Sequence, residues 1–204
     1  VSDGILYGYA MGGNTGDPVV ATADRITFST SVTAASTINN LSQARNTTVG
    51  VSDNAIYGYA MGGNTNAVVA TTDRITFSIS ATSASTVSNL SSAKSEAAGV
   101  SDSAVYGYAM GGATSGGRTS GTDRITFSTS VSAASTTSNL STNRSINAGI
   151  SDGAVYGYAM GGFTGAAATT ADRIAFSTSV TAASTASDLT AGRYGASGLS
   201  DGAV

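Results

Sequence analysis

The chain has 204 residues, enough for one compact domain or for several small units sharing a continuous core. Only 10% of residues are charged, 9 basic against 12 acidic, so the clustered Lys and Arg that neutralise phosphates are missing and nucleic acid is not an expected partner. The absence of Cys and His removes disulfides, thiolate chemistry, the commonest metal ligand and the commonest general base.

No apolar run approaches the roughly 18 residues of a helical membrane span. The first residue is Val rather than Met, and no signal peptide is read there, so a missing start is expected. A polar but nearly uncharged surface rich in Gly, Ala, Ser and Thr is associated with secreted, cell-surface and virion proteins.

From the start, Ser2-Asp3-Gly4 reads as a tight turn, because Asp-Gly suits the positive φ angles of hairpins. Residues 5–11 follow as a strand of period two. Tyr7, Tyr9 and Met11 point one way, and Gly8, Ala10 and Gly12 the other. The second face is small rather than polar, which suits a sheet held between two neighbours, the large face of one filling the small face of the next. Residues 25–29 form another strand, with Ile26 and Phe28 opposite Thr27, and residues 35–41 a further one. Residues 47–52 then open a new unit. Helix is not expected, since Gly interrupts the periodic segments and β-branched residues abound.

The pattern repeats. Tyr7-Gly8-Tyr9-Ala10-Met11-Gly12-Gly13 returns unchanged at Tyr57, Tyr106 and Tyr156. The Ser-Asp pairs end at Asp3, Asp53, Asp102, Asp152 and Asp201, at spacings of 50, 49, 50 and 49. Four repeats follow, approximately 1–50, 51–99, 100–149 and 150–198, each of four short strands. Residues 199–204 open a fifth repeat of a longer array, or close a ring by supplying the strand that the first repeat largely lacks, or pair with a second chain.

The order Arg45, residues 46–50, Asp53, the Tyr57 segment ending in Gly62-Gly63, Asp73 to Phe77, and Leu90 resembles the kelch repeat in all four copies. The period near 50 fits kelch and exceeds the roughly 40–45 of WD40. The resemblance implies an all-β fold, a β-propeller built from four-stranded antiparallel kelch-like blades. Kelch blades usually carry a Trp that this chain lacks, so Thr37, Ile38 or Leu41 and their counterparts are expected to fill that space. Four blades are fewer than such propellers usually close with, which leaves open a segment, a pairing of two chains, or a small ring.

Comparing the four copies locates variation in two connections. One joins the second and third strands (residues 14–23, 64–72, 113–122 and 163–171), and the other leads into the next repeat (residues 42–48, 91–97, 141–147 and 190–196). In an up-and-down sheet both lie at one rim. That rim is the expected recognition surface, with Arg118, Phe163 and Tyr194 as first contacts for protein or glycan.

Asp24-Arg25, Asp73-Arg74, Asp123-Arg124 and Asp172-Arg173 are read as structural, tying blade edges by charge-assisted hydrogen bonds. One Asp per repeat falls short of the roughly 6–8 oxygens calcium takes, so no metal and no cofactor are expected. Arg45, Lys94, Arg144 and Arg193 form a second basic set, expected to pair between repeats at the surface and to stabilise little. The Tyr pairs are expected in the core rather than as sugar platforms. The Ser-Asp pairs have no base beside them, and Gly-Gly lacks the Lys of a P-loop. Sequons at Asn40, Asn46, Asn89, Asn139 and Asn143 matter only in a eukaryotic secretory setting.

The expected function is therefore non-enzymatic: a structural or adhesive module of a cell surface, extracellular filament or virion. The alternative is a lectin-like or receptor-binding propeller using its variable loops. Near-identical units also predict homo-oligomers by exchange between chains, or added blades from a longer chain.

Overall fold

Alternation of bulky and small residues sets the architecture, and every named element is a strand. A computed structural model describes the chain except residues 17, 29–35, 39, 78–84, 88, 128–134, 137–138, 177–183, 186–187 and 201–204. The connections between third and fourth strands, and the last Ser-Asp at Asp201, thus lie outside the described residues.

The first repeat holds β1 (Tyr7–Asn14), β2 (Val19–Thr27) and β3 (Ser36–Ile38). The second holds β4 (Val49–Ser52), β5 (Tyr57–Met61), β6 (Thr72–Thr76) and β7 (Ser85–Val87). The third holds β8 (Ala98–Ser101), β9 (Tyr106–Met110), a small hairpin of β10 (Ala113–Thr114) and β11 (Gly117–Arg118), β12 (Thr122–Thr126) and β13 (Ser135–Thr136). The fourth holds β14 (Ala148–Ser151), β15 (Tyr156–Met160), β16 (Ala171–Ala175) and β17 (Ser184–Thr185).

Repeats two to four each form a four-stranded antiparallel sheet in sequential order, and β1-β2-β3 form a three-stranded one. In the first repeat Val1 and Ser2 stand where β4 stands in the second. Ser2 bridges Gly8, and the Tyr9 N–H donates to the Val1 carbonyl at 2.8 Å. The fourth strands are shorter than the 35–41 pattern implies.

The hydrophobic core lies between sheets rather than within one. One cluster joins Val49, Val51, Tyr59, Met61 and Leu90 of the second repeat to Ala109, Ile125 and Phe127 of the third. A second joins Ala98, Val100, Tyr108, Met110 and Leu140 to Ala159, Ile174 and Phe176. Tyr9 stacks on Phe77, Tyr59 on Phe127 and Tyr108 on Phe176, with ring centroids 4.8–5.2 Å apart. The small face explains itself by the same contacts. A Cβ on Gly107 would lie 2.7 Å from both the Phe127 ring and Val51 of the preceding repeat. Leu41, Leu90 and Leu140 are buried, whereas the side chains of Thr37 and Ile38 lie outside the description.

Spacing between neighbouring sheets is not uniform. At the first strands the backbones touch: a Cβ on Gly99 would sit 2.6 Å from the Gly50 carbonyl oxygen. Further along each sheet, whole aromatic rings stand between neighbours. Val1-Ser2, β4, β8, β14 and residues 198–200 together line a cleft of about 500 Å³.

The double glycine has a backbone reason. Gly62, Gly111 and Gly161 adopt φ of 61–67°, and Gly63, Gly112 and Gly162 adopt 105–113°. The second glycine of each pair donates its N–H to the carbonyl of Lys94, Arg144 or Arg193 at 2.8–2.9 Å. Its other flank faces the preceding repeat, where a Cβ on Gly112 would meet the Ser95 carbonyl at 2.5 Å. Only a residue without Cβ combines that φ with that approach.

Candidate site on the variable rim

The turn between first and second strands is built alike in every repeat. Oδ1 of Asp3, Asp53, Asp102 and Asp152 accepts N–H groups two, three and four residues on, at 2.7–3.0 Å. Gly4, Asn54, Ser103 and Gly153 take φ of 55–77° there, so Ser103 adopts the turn geometry although its sequence suits it less. For Asp3 and Asp152 burial disfavours the charge, but the backbone donors outweigh it and hold both carboxyls below the ordinary aspartate value of 3.8.

The two variable connections meet at one rim. Asn46 bridges Asn64, Ser95 bridges Ala113, and Ser145 bridges Phe163, each joining the loop that leaves one repeat to a loop of the next. Beside these bridges runs a ladder of main-chain bonds. The Glu96 N–H donates to the Thr47 carbonyl at 3.2 Å, Ile146 to Glu96 at 2.8 Å, and Gly195 to Ile146 at 3.0 Å. Thr47, Glu96, Ile146 and Gly195 are equivalent positions with φ of 50–67°. The backbone carries the contact, so the side chain is free to vary.

On this frame the three rim residues singled out from the sequence come together. The β10–β11 hairpin presents Arg118, whose guanidinium lies 4.4 Å from the centroid of the Phe163 ring. That ring meets Tyr194 edge-on at 5.3 Å, and Tyr194 is 55% exposed. Phe163 is anchored from below by Ser145, with main-chain bonds of 2.7 and 3.1 Å. The same pair of positions in the first repeat holds Asn14 and Asn46, whose side-chain amides hydrogen-bond at 2.9 Å. One pair of sites on a repeated scaffold thus presents an amide pair at one place and an aromatic pair with a cation at another.

The Asp-Arg dipeptides part ways. Asp73, Asp123 and Asp172 are buried and reach the preceding repeat, where they pair with Arg45 at 3.1 Å, Lys94 at 3.0 Å and Arg144 at 3.1 Å. Ser42 and Ser141 add main-chain and hydroxyl donors to Asp73 and Asp172 at 2.8–2.9 Å, and the Ser91 hydroxyl donates to Asp123. Asp24, on β2 of the first repeat, is half-buried. The expectation of weak surface pairs is corrected: Arg45 and Arg144 are fully enclosed between sheets, where their guanidinium groups also donate to the carbonyls of Ala60 and Ala159. Burial pulls both guanidinium groups below the ordinary arginine value, and the partner carboxylate opposes the shift. Arg25, Arg74, Arg124 and Arg173 lie over the rings of Tyr7, Tyr57, Tyr106 and Tyr156 at 4.4–4.5 Å. The inner tyrosine is enclosed instead, and burial pushes the Tyr59 hydroxyl up to about 12.

Sequence reasoning missed the Asn14–Asn46 pair and the enclosure of the second basic set. The signal for the latter was there, since Arg45, Lys94 and Arg144 recur once per repeat in a chain that uses charge sparingly. Among the described residues no helix is long and apolar enough to cross a membrane, and no group of three or more Asp, Glu, Cys or His gathers as metal ligands. No protein-family model matches the chain, and no curated protein matches it either.

Proposed function

We propose that the chain is a non-enzymatic scaffold, a structural or adhesive module of a cell surface, extracellular filament or virion, built as a kelch-like β-propeller or a segment of one. The observation that carries this reading is the use of charge at the repeat junctions. Three carboxylates and three cations that would otherwise offer chemistry are enclosed as pairs between sheets. A radial arrangement is supported by the wedge between sheets, glycine against carbonyl at the first strands and aromatic stacks farther out. The first strands would then line the axis, a placement that their shared cleft supports. Electron-microscopy class averages down the short axis test this, with sheets radiating from a centre expected; a straight column of sheets would end the propeller reading. Turnover in a hydrolase screen that vanished on Asp123→Asn would end the non-enzymatic one. Antibody labelling of intact source cells or particles tests location, with exterior labelling expected.

The Arg118–Phe163–Tyr194 cluster favours a second reading, recognition of glycan or protein at the variable rim. An exposed aromatic edge beside a cation suits a sugar face or an acidic peptide. Binding on a glycan or protein array that is lost in Phe163→Ala, with unfolding unchanged, would select this reading. Equal binding by both proteins would remove the cluster from it.

A further inference from the structure

Eight of the nine basic residues fall into two series that recur once per repeat: Arg25, Arg74, Arg124 and Arg173, and Arg45, Lys94, Arg144 and Arg193. Arg118 belongs to neither. It stands on the exposed tip of the loop between second and third strands of the third repeat, and its guanidinium lies 4.4 Å from the centroid of the Phe163 ring in the fourth. That contact orients the guanidinium without neutralising it. Among the described residues Arg118 takes part in no side-chain hydrogen bond and no ion pair. Its main chain is fixed on both sides. The Thr114 hydroxyl donates to the Gly117 carbonyl at 2.9 Å, and the Thr119 N–H to the Gly112 carbonyl at 2.9 Å. Ala113, which pairs with Arg118, is held by Ser95 of the preceding repeat through main-chain bonds of 2.8 and 2.9 Å. The corresponding tip of the second repeat, Asn66 and Ala67, is exposed as well, and both of these repeats have a neighbour on either side. The exposure therefore belongs to the rim and not to the ends of the array.

We propose that Arg118 is the anion-binding residue of a site for a carboxylated sugar. The proposal rests on the second reading above, recognition at the variable rim, and names its ligand class. A guanidinium offers five N–H donors in a planar fork that matches a carboxylate. Held against Phe163 by a fixed hairpin, this one is in place before a ligand arrives, so little side-chain freedom is lost on binding. The half-buried Phe163 ring beside it gives a flat apolar surface for the C–H face of a pyranose. A neutral sugar would use the ring and leave the charge unanswered. Ser115, Gly116 and Gly117 next to Arg118 are small and exposed, so the tip offers no apolar groove to the side chains of a peptide. The same loop carries no basic residue at 14–23, 64–72 or 163–171, so these four repeats hold the site once, where the third meets the fourth.

NMR titration of the 204-residue chain with methyl β-D-glucuronide and methyl β-D-glucoside tests it, because the two probes differ only in the carboxylate. The signals read are the Arg118 Nε–H and the Phe163 ring protons, at about 20 mM salt so that screening is small. The acid should bind with a Kd of about 1 mM and about 5-fold more tightly than the neutral sugar, the gain of an exposed but oriented ion pair. Salt at about 500 mM should erase most of that gain. Arg118→Gln should bring the two sugars to equal affinity while leaving neutral-sugar binding in place. Phe163→Ala should weaken both, and the fold should tolerate it, since Ala113 stands at the same position in the third repeat. Equal affinity for the two sugars in the parent, or an acid preference that survives Arg118→Gln, would overturn the proposal and leave the wider rim reading standing. An oligoglutamate peptide that moves the same signals when the glucuronide does not would overturn the sugar class and keep the rim. No shift from either sugar up to about 50 mM would also overturn the proposal, and the wider reading would then rest on the array result alone.

Discussion

Replacing Asp172 with Ala removes one partner of a junction pair and leaves Arg144 enclosed. The Arg144 side chain is fully buried, its Nη1 lies 3.1 Å from Asp172, and its remaining bond is to the Ala159 carbonyl at 2.8 Å. Breaking such a pair costs about 3–5 kcal/mol, because the surviving charge keeps its desolvation penalty. The main-chain and hydroxyl donors of Ser141 also lose their acceptor, a penalty that overlaps with the first rather than adding to it. A loss of about 4 kcal/mol, with a urea slope of about 2 kcal/mol per molar, moves the midpoint by about 2 M. In an array coupled through neighbours the same loss can emerge as an early separate phase for the fourth repeat. Unfolding would be followed by tyrosine fluorescence and far-UV circular dichroism, since the chain has no Trp. Arg193→Ala is the internal control: the equivalent residue is exposed, and its loss should cost under about 0.5 kcal/mol. The double replacement Arg144→Met with Asp172→Leu should recover most of the stability, because neither charge then remains enclosed. If Asp172→Ala and Arg193→Ala shift the midpoint alike, the junction pair has no special energetic role.

Gly112→Ala combines φ of 111° with a clash against the Ser95 carbonyl, so urea unfolding should register a loss of about 3 kcal/mol; Gly117→Ala, at φ of 118° with open space around it, should lose only about 1 kcal/mol. Thr47→Asn at φ of 50°, an exposed position, should gain about 1 kcal/mol in the same assay, because Asn tolerates the left-handed region that a β-branched residue does not. Asp152 has a lowered folded pKa, so its contribution is fully present above its unfolded value near 3.8 and disappears as pH falls through the lower folded value. Asp152→Asn keeps an acceptor oxygen but cannot titrate, so the urea midpoint should fall less steeply below pH 3.8 than in the parent.

The repeat, its four strands and the large-against-small packing were legible because each is periodic. Tyr9 and Gly8 declare opposite faces by alternation alone, and Gly12-Gly13 announces a backbone that no side chain could follow. Three things were not legible. Lys and Arg are mostly exposed in proteins, and nothing local to Arg45 says that a sheet closes over it; that follows from Asp73 arriving from the next repeat, 28 residues on. The Phe163–Tyr194 contact joins residues 31 apart through loops whose path no spacing rule fixes. Arg118 reaches them because Ser115 and Gly116 turn the short β10–β11 hairpin, whose register of Ala113 with Arg118 depends on the length of one loop.

Sameness among the four copies has a physical meaning that bears on where function lies. Many positions that hold fixed touch a neighbouring repeat or shape their own turn: Tyr59 on Phe127, Gly99 on Gly50, Asp123 on Lys94, Asp102 on its own backbone. Constancy at these positions reports packing. Variation alone is equally uninformative at Thr47, Glu96 and Ile146, because the main chain carries the contact there and any side chain will do. The informative positions are those where geometry is kept while chemistry changes. Asn14 with Asn46, and Phe163 with Tyr194, satisfy both conditions: each pair is in direct contact at the same place on the rim, one by hydrogen bond and the other by ring edge. The guanidinium of Arg118, 4.4 Å from the Phe163 ring, adds a charge that the amide pair lacks. Under the second reading proposed above, these rim positions, rather than the constant charged residues, are where substitution should alter binding.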